Sequence, residues 1–205
     1  MWLDIQQNTE EWEALRLGKA TSSQFAVIMA NEGKAFGEPA KKYAQKIALE
    51  IVTFQKDETE SFSNQWMERG HELEEEAVRL YEQRQLIKTT NGGFNVSGCG
   101  RFGDSPDANF GQGNQEVKTV GANAQWDRIK KGGIDPKYKW QITGHIWLGQ
   151  KDWCDFIQYC PSFPEEHQLY VFRVERDEDM IERLKARLED FWKLVEENVL
   201  LINNK

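Results

Sequence analysis

No stretch of this 205-residue chain approaches the length of a membrane span: its longest apolar runs, such as Phe25 to Ala30, fall far short of the ~18 residues required. A basic-then-apolar leader is also missing at the N-terminus. The expectation is a soluble, unexported protein with no membrane partner. Cysteine is scarce. Cys99, Cys154 and Cys160 form no Cys-x-x-Cys pair, which excludes zinc fingers and disulfide scaffolds and fits reduced thiols in a cytoplasm. Repeats, low-complexity tracts and Pro/Ser-rich linkers are lacking, so a single domain over residues 1–205 is expected, with a helical part over about residues 1–60 packed on the rest. An excess of positive charge is lacking too. With 26 Lys+Arg against 34 Asp+Glu the formal net charge is −8, which as one number argues against a nucleic-acid binder.

The distribution of charge changes that argument. From Asp57 to Glu82 there are nine acids and two bases, whereas from Lys118 to Lys139 there are six bases and two acids. Acids gathered in one place suggest divalent-metal ligation or a solvated helix face, and bases gathered in another suggest a phosphate track or, again, a solvated face.

Gly, Pro and Asn punctuate the chain clearly. Helices are expected at Glu10–Leu17, capped by Asn8 or Thr9 and closed by Gly18, from Thr21-Ser22-Ser23 through Met29, and from Pro39 with apolar positions at Tyr43, Ile47 and Ile51. Asn64–Arg84 is the strongest helix of the first half. Short segments at Leu86–Thr90, Phe94–Val96, Cys99–Phe102 and Gln115–Val120 read as a β-meander. Helices at Ala122–Lys131 and Pro136–Gly149 follow, then strands at Asp152–Cys160 and Gln168–Glu175. A final helix from Asp177 carries Ile181, Leu184, Leu188, Phe191 and Val195 on one face. The fold class is mixed α/β, a layered sheet flanked by helices.

Ser105-Pro106-Asp107 precedes Glu116-Val117-Lys118. Period-two geometry puts Glu116 and Lys118 on one strand face and turns Val117 to the other. If Asp107 ends the neighbouring segment, two carboxylates can share a Mg²⁺ ion, with the lysine where a metal-bound water would attack. This is the Pro-Asp…(Asp/Glu)-x-Lys signature of metal-dependent nucleases. Because the pattern arises by chance in roughly one in twenty chains of this length, a turn beside a surface strand with a paired Glu and Lys is its bland alternative.

The helix around Gly70 adds weight. Leu73, Ala77, Leu80 and Tyr81 define its inward stripe and Glu74 falls on the edge of it, while Glu72, Glu75 and Glu76 suit solvent and Glu75 can pair with Arg79. A half-buried Glu74 needs a partner, either a metal shared with Asp107 and Glu116 or a salt bridge to Arg69 or Arg84. Separately, Arg16 and Lys19 precede the hydroxyls and N–H groups of Thr21 to Ser23, a candidate phosphate pocket that also reads as a plain Ser/Thr cap with two exposed bases. In the helix after Pro136, Tyr138, Gln141, His145 and Leu148 share a face, which brings Gln141 toward the same cleft. His71, His145 and His167 show no ligand spacing and read as structural. Trp126, beside Arg128, Lys130 and Lys131, is placed to stack on an unpaired base.

Taken together, Leu15-Arg16-Leu17-Gly18 with Thr21 and Ser23, Gly70 with Glu74 and Ala77, Ser105-Pro106-Asp107, Glu116-Val117-Lys118, and Tyr138 with Gln141 and Trp147 resemble, in order, the phage lambda exonuclease family. These are the YqaJ-type viral recombinase nucleases of the restriction-endonuclease-like superfamily, and the matching stretches span about two thirds of the chain. The resemblance implies a mixed central sheet flanked by helices and a 5′-to-3′ exonuclease. Such an enzyme digests one strand of linear duplex DNA bearing a 5′-phosphate and leaves a 3′ overhang for a single-strand annealing protein. It also implies that Asp107, Glu116 and the Val117 carbonyl bind Mg²⁺, with Mn²⁺ as a substitute, that Glu74 completes the metal site, that Lys118 activates the water and that Gln141 supports the site. Arg16 and Ser23, with Lys19 and Thr21 beside them, would grip the 5′-phosphate. A ring-shaped homotrimer and a phage or prophage origin in a bacterial cytoplasm belong to the same expectation. Thr119 stands where the resemblance implies a Cys-Pro-like continuation, and the N-terminal arm is short against that expectation. An endonuclease of the same fold and a non-catalytic DNA-binding module are the competing readings.

Overall fold

The structure is a computed structural model that describes residues 1–56 and 65–204, with the side chains of residues 65–69 and 71 left out of the description. The expected helix start at Asn64 and the side chains of Arg69 and His71 therefore lie outside the described residues.

Helix α1, Glu10–Arg16, is capped by Thr9, whose hydroxyl accepts the Trp12 amide, and the acids Glu10, Glu11 and Glu13 complement the dipole in its first turn. The chain then forms strand β2, Ala20–Thr21, a 3₁₀ turn at Ser22–Gln24 and the five-residue helix α2, Phe25–Met29. Helix α3, Glu38–Thr53, carries Pro39 in its first turn, where the missing N–H costs nothing. Helix α4 runs Gln65–Gln85 and stops at Leu86, which takes a left-handed φ of 54°.

Among the described residues the strands make two sheets rather than the single meander expected. The smaller orders β1 (Trp2–Leu3), β4 (Phe94–Val96), β5 (Phe102–Asp104) and β2. The larger orders β3 (Thr90–Asn91), β6 (Ala108–Phe110), β7 (Gly113–Thr119), β8 (Trp153–Tyr159) and β9 (Leu169–Glu175). The N-terminal part is thus more than helical: β1 and β2 supply both edges of the smaller sheet. Leu86 to Thr89 is not a strand, because Glu82 accepts both the amide and the hydroxyl of Thr89 and turns the chain. Strand β6 is not legible in the sequence because Ala-Asn-Phe, three residues long, is shorter than the roughly four to eight over which alternation marks a strand.

Strands β7 and β8 are parallel, with Glu116 opposite Phe156, and the crossover between them holds α5 (Ala122–Lys131), a 3₁₀ turn at Pro136–Tyr138 and α6 (Lys139–Leu148). Helix α7, Glu178–Asn203, is capped by Asp177, and its stripe Ile181, Leu184, Leu188, Phe191 and Val195 is buried as the spacing predicts. At roughly 1.5–3 kcal/mol per fully buried apolar side chain, that stripe fastens the N-terminal helices. Its Leu184, Leu188, Phe191 and Val195 pack with Ile28, Ala44 and Ile47 of α2 and α3, while Ile181 joins Ile142 and Ile146 of α6. On the other face of the larger sheet, Val117 meets Ala77 and Tyr81 of α4 with Ile157 and Tyr159 of β8.

The Asn91-Gly92-Gly93 turn has a positional duty. A Cβ at Gly92 would lie 1.6 Å from the Pro106 carbonyl oxygen, so only glycine lets this turn rest on the Pro106-Asp107 peptide. Trp2 Nε1 and Asn109 Nδ2 donate to the Gly92 carbonyl at 2.9 and 3.0 Å, which holds the two segments together. Gly92→Ala is therefore expected to lower stability by about 2 kcal/mol or more in urea unfolding. Gly98→Ala, with no atom within 4 Å of the added methyl, should stay within about 0.5 kcal/mol of the wild type.

Candidate active site

A hairpin closes the eight-residue gap between Asp107 and Glu116. Strands β6 and β7 are antiparallel, with Ala108 opposite Gln115 and Phe110 opposite Gly113, so Asp107 stands beside Glu116 on the adjoining strand. The Asp107 amide donates to the Gln115 carbonyl at 3.0 Å, and Asp107 Oδ2 accepts the Val117 amide at 2.6 Å. In a strand, the N–H and C=O of one residue point to the same edge. The Val117 carbonyl therefore faces the Asp107 side, away from β8.

The side chains follow the expected alternation. Val117 enters the apolar cluster under α4, while Glu116 and Lys118 share the other face, Lys118 Nζ lying 2.5 Å from Glu116 Oε1. Gln141 Nε2, from α6, donates to the same oxygen at 2.7 Å. The remaining oxygen, Glu116 Oε2, is met at 2.6 Å by His145 Nε2, and His145 Nδ1 lies 2.5 Å from Asp104 Oδ1 on β5. Asn95 Nδ2 completes the chain at 3.2 Å from Asp104 Oδ2. His145, Asp104 and Glu116 are all buried. His145 is thus more than the structural residue its lack of ligand spacing suggests, and Asp104 carries no local motif that marks it. The signal that places His145 here is its i,i+4 relation to Gln141, which set both on one helix face.

These contacts push the two central carboxylates apart in acidity. Burial alone would raise Glu116, but Lys118 and His145 outweigh it and hold Glu116 below the usual carboxylate range. Asp107 goes the other way: burial and then the charge of Glu116 raise it well above that range, with Glu74 adding to the effect. Burial would lower Lys118, yet Glu116 and Asp107 together raise it, so it stays cationic. His145 is likewise lifted to about 10, against a burial cost, by Asp104 and Glu116.

Glu74 sits half-buried on α4 and, with Asp107, lines a cleft of about 940 Å³ that also touches Asn8, Thr90 and Asn91. Glu72 and Glu75 are exposed, and Glu75 pairs with Arg79 at 3.6 Å, as the spacing predicts. Glu76 is exposed too, as the spacing predicts, and after burial its proximity helps raise the pKa of Tyr159. Arg84, one of the alternative partners considered for Glu74, turns instead to the main-chain carbonyls of Glu165 and Glu166.

Among the described residues no three His, Cys, Asp or Glu side chains form a metal-holding group on their own. The oxygens on offer are nonetheless hard donors of the kind Mg²⁺ takes. Asp107 spends Oδ2 on the Val117 amide and has Oδ1 left for another ligand. Glu116 receives three donors on a group with about four lone-pair sites, so one position remains. With the Val117 carbonyl on the same edge and Glu74 on the cleft wall, these residues fit a small divalent cation.

The candidate phosphate pocket takes a different form from the one expected. Thr21 lends its amide to Tyr43 Oη at 3.0 Å, so that N–H is not free, and the helix it opens is short. Ser23 is exposed and reaches the pocket only through Thr21 Oγ1, at 3.3 Å. Arg16 and Lys19 do line a cavity of about 640 Å³, where burial lowers the pKa of both. Arg16 stacks 4.2 Å from the Trp12 ring centroid. Helix α3 and the residues after it add Lys42, Lys46 and Lys56, giving five cationic side chains against Glu13 and Glu50. Those three lysines were invisible to the local motif because they come from the next helix and its exit. Asn8 lines both cavities. Trp126 is 59 % exposed on α5, next to Arg128 and the exposed Lys130 and Lys131, and His167 is an exposed residue whose carbonyl accepts Gln125 Nε2.

Known proteins share this fold. The sequence profile of the YqaJ-like viral recombinase domain matches residues 11–152. The crystal structure of LHK-Exo in complex with dAMP superposes with a TM-score of 0.85 at 28% identity, over 96% of this chain and 97% of that one. LHK-Exo is an alkaline exonuclease from Laribacter hongkongensis, and a second structure of it gives 0.84 at 27% identity over the same shares. A phage related exonuclease from Haemophilus somnus 129PT shares the fold at 16% identity, with a TM-score of 0.69 over 91% of this chain and 96% of that one. No curated protein sequence matches. The fold is thus restriction-endonuclease-like, and among the described residues no helix is long and apolar enough to cross a membrane.

The raised pKa of Asp107 makes a stability prediction. A carboxyl whose folded pKa lies above its unfolded value of ~3.9 contributes stability that is complete below that value and is lost as pH rises through the folded pKa. Asp107→Asn keeps an oxygen for the Val117 amide and removes the charge. In EDTA its Tm is expected to equal or exceed that of the wild type, by a margin that grows from about pH 5 to about pH 9. A lower Tm throughout would show that the carboxylate serves the fold.

Proposed function

Because the chain belongs to the YqaJ-like viral recombinase family, we propose that it is a divalent-metal-dependent DNA exonuclease that digests one strand of linear duplex from its 5′ end and leaves a 3′ overhang. The observation that carries this reading is the convergence of Asp107, Glu116 and Lys118 at the end of one hairpin, with a cationic cavity beside their cleft. Mg²⁺, or Mn²⁺ in its place, would be held by Asp107, Glu116, the Val117 carbonyl and Glu74. It supplies Lewis-acid polarisation of a phosphoryl oxygen and a more acidic water. Lys118 is kept positive by the two carboxylates and stands where it orients the attacking water and balances charge on the phosphate. Gln141 keeps Glu116 Oε1 turned toward Lys118.

Arg16 and Lys19, with Thr21, Ser23 and the α3 lysines, take the terminal 5′-phosphate. Their surplus of positive charge in a partly desolvated cavity is the chemistry a dianion needs. A terminal phosphate held there fixes the strand end relative to the cleft, which favours cleavage from ends over cleavage at internal sites. The 3′ overhang would pass to a single-strand annealing protein, and a homotrimer ring around the duplex, in a bacterial cytoplasm carrying phage or prophage, completes the reading.

The test is incubation with Mg²⁺ and end-labelled linear duplex beside closed circular DNA. Release of mononucleotides from 5′ ends alone is expected, and nicking of the circle would point to an endonuclease instead. Glu116→Gln should lower turnover on the order of 10²–10³-fold while sparing duplex binding. Arg16→Ala should cut the preference for 5′-phosphorylated over 5′-hydroxyl ends about tenfold, as loss of one charge-assisted hydrogen bond implies, and an unchanged ratio would reject the pocket.

A further inference from the structure

Glu116 has its two oxygens held in different ways. Oε1 meets Lys118 and Gln141, whose side chains are only partly buried, whereas Oε2 meets the fully buried His145 ring. That ring is fully buried and engaged at both nitrogens, Nε2 by Glu116 and Nδ1 by Asp104. Its backbone is held as well, for Asn114 Nδ2, from β7, donates to the His145 carbonyl at 3.0 Å. Asp104 belongs to the smaller sheet, where Asn95 on β4 steadies its second oxygen at 3.2 Å. A continuous line of side chains, Asn95, Asp104, His145 and Glu116, thus runs from the smaller sheet through α6 to the larger one and ends on a carboxylate of the metal site.

A core histidine that merely fills space needs one satisfied nitrogen and no particular partner. This one sits between two buried carboxylates from two different sheets. Rotation of the Glu116 carboxylate about its terminal torsion, which is otherwise broad, would break the Nε2 contact, so the contact sets the plane in which the remaining lone pair points.

We propose that His145, backed by Asp104, is a positioning residue that orients Glu116 for the divalent cation. The proposal rests on the metal reading given above. Partners behind a ligating side chain, when removed, cost on the order of 10–100-fold in metal affinity, and a carboxylate ligand depends on such partners as much as a histidine does.

Two substitutions separate orientation from bulk. In His145→Gln the amide nitrogen takes the place of Nε2 and can still donate to Glu116. In His145→Asn it takes the place of Nδ1, reaches Asp104 and leaves Glu116 Oε2 without its donor. Both replace a buried ring by a neutral amide, so their melting temperatures in EDTA should fall alike. Titrating Mg²⁺ calorimetrically into the full-length protein, the Asn variant is expected to bind about 10–100-fold more weakly, and the Gln variant, which keeps the Glu116 contact and loses only the Asp104 one, to be weakened clearly less. The Mg²⁺ concentration for half-maximal turnover on linear duplex should move in parallel. Equal affinities for the two variants, whether both weakened or both unchanged, would overturn the proposal. If neither variant folds, Asp104→Asn carries the test, with weaker Mg²⁺ binding expected and unchanged binding overturning it. Absence of Mg²⁺ binding by the wild type would overturn the metal reading itself and the proposal with it, a result distinct from wild-type binding that the variants leave untouched.

Discussion

The hydrogen bond from the Val117 amide to Asp107 Oδ2 is the constraint on which the site depends. It ties a side chain on one arm of a hairpin to the main chain of the other. By doing so it keeps Asp107 beside Glu116, leaves Asp107 Oδ1 directed elsewhere and requires the Val117 carbonyl to share the same edge. Val117 itself is anchored by its side chain in the apolar layer under α4. The polar half of the site and the hydrophobic core are therefore two faces of one strand, and the packing of α4 on β7 is what holds the acidic edge in register.

The two acids of the hairpin have unequal surroundings. Glu116 is enclosed and receives Lys118, Gln141 and His145, which favours its ionised form. Asp107 retains contact with the cleft, has one amide to satisfy it and sits next to a charge that is already fixed. The two carboxylates repel, and the cost falls mainly on Asp107, whose pKa is raised by burial and then by Glu116 while that of Glu116 is lowered. A cation at that position would relieve it. Glu116 behaves as a fixed part of the frame, whereas Asp107 is the partner whose charge state answers to what enters the cleft.

What could be read from the chain follows a physical division. Alternation of Glu116, Val117 and Lys118, the inward stripe of α4 with Glu74 at its edge, and the amphipathic α7 are local periodicities, and each was legible because a few consecutive residues carry it. Strand β6 has only three residues, too few for its alternation to stand out, so its hairpin with β7, and the partition into two sheets, could not be read. Asp104 and the lysines of α3 reach their sites through tertiary approach, which no local window holds. His145 falls between these cases. Its helical face was legible, but the carboxylates on either side come from strands of different sheets.

The hairpin also sorts the positions at which the chain tolerates a change of length. Asp107 and Glu116 are joined by a tip, Phe110 to Gly113, that lies beyond the pair itself, and Gly111 and Gln112 there are exposed. Residues inserted at that tip lengthen the arc without moving the two carboxylates. One residue inserted between Gln115 and Glu116 would invert every later side chain of the strand, sending the ammonium into the apolar layer and the valine to the polar face. A spacing elastic at the turn and rigid within the strand is what lets an acid and an acid-x-lysine pair stand at varied separations along a chain and still come together at one strand edge.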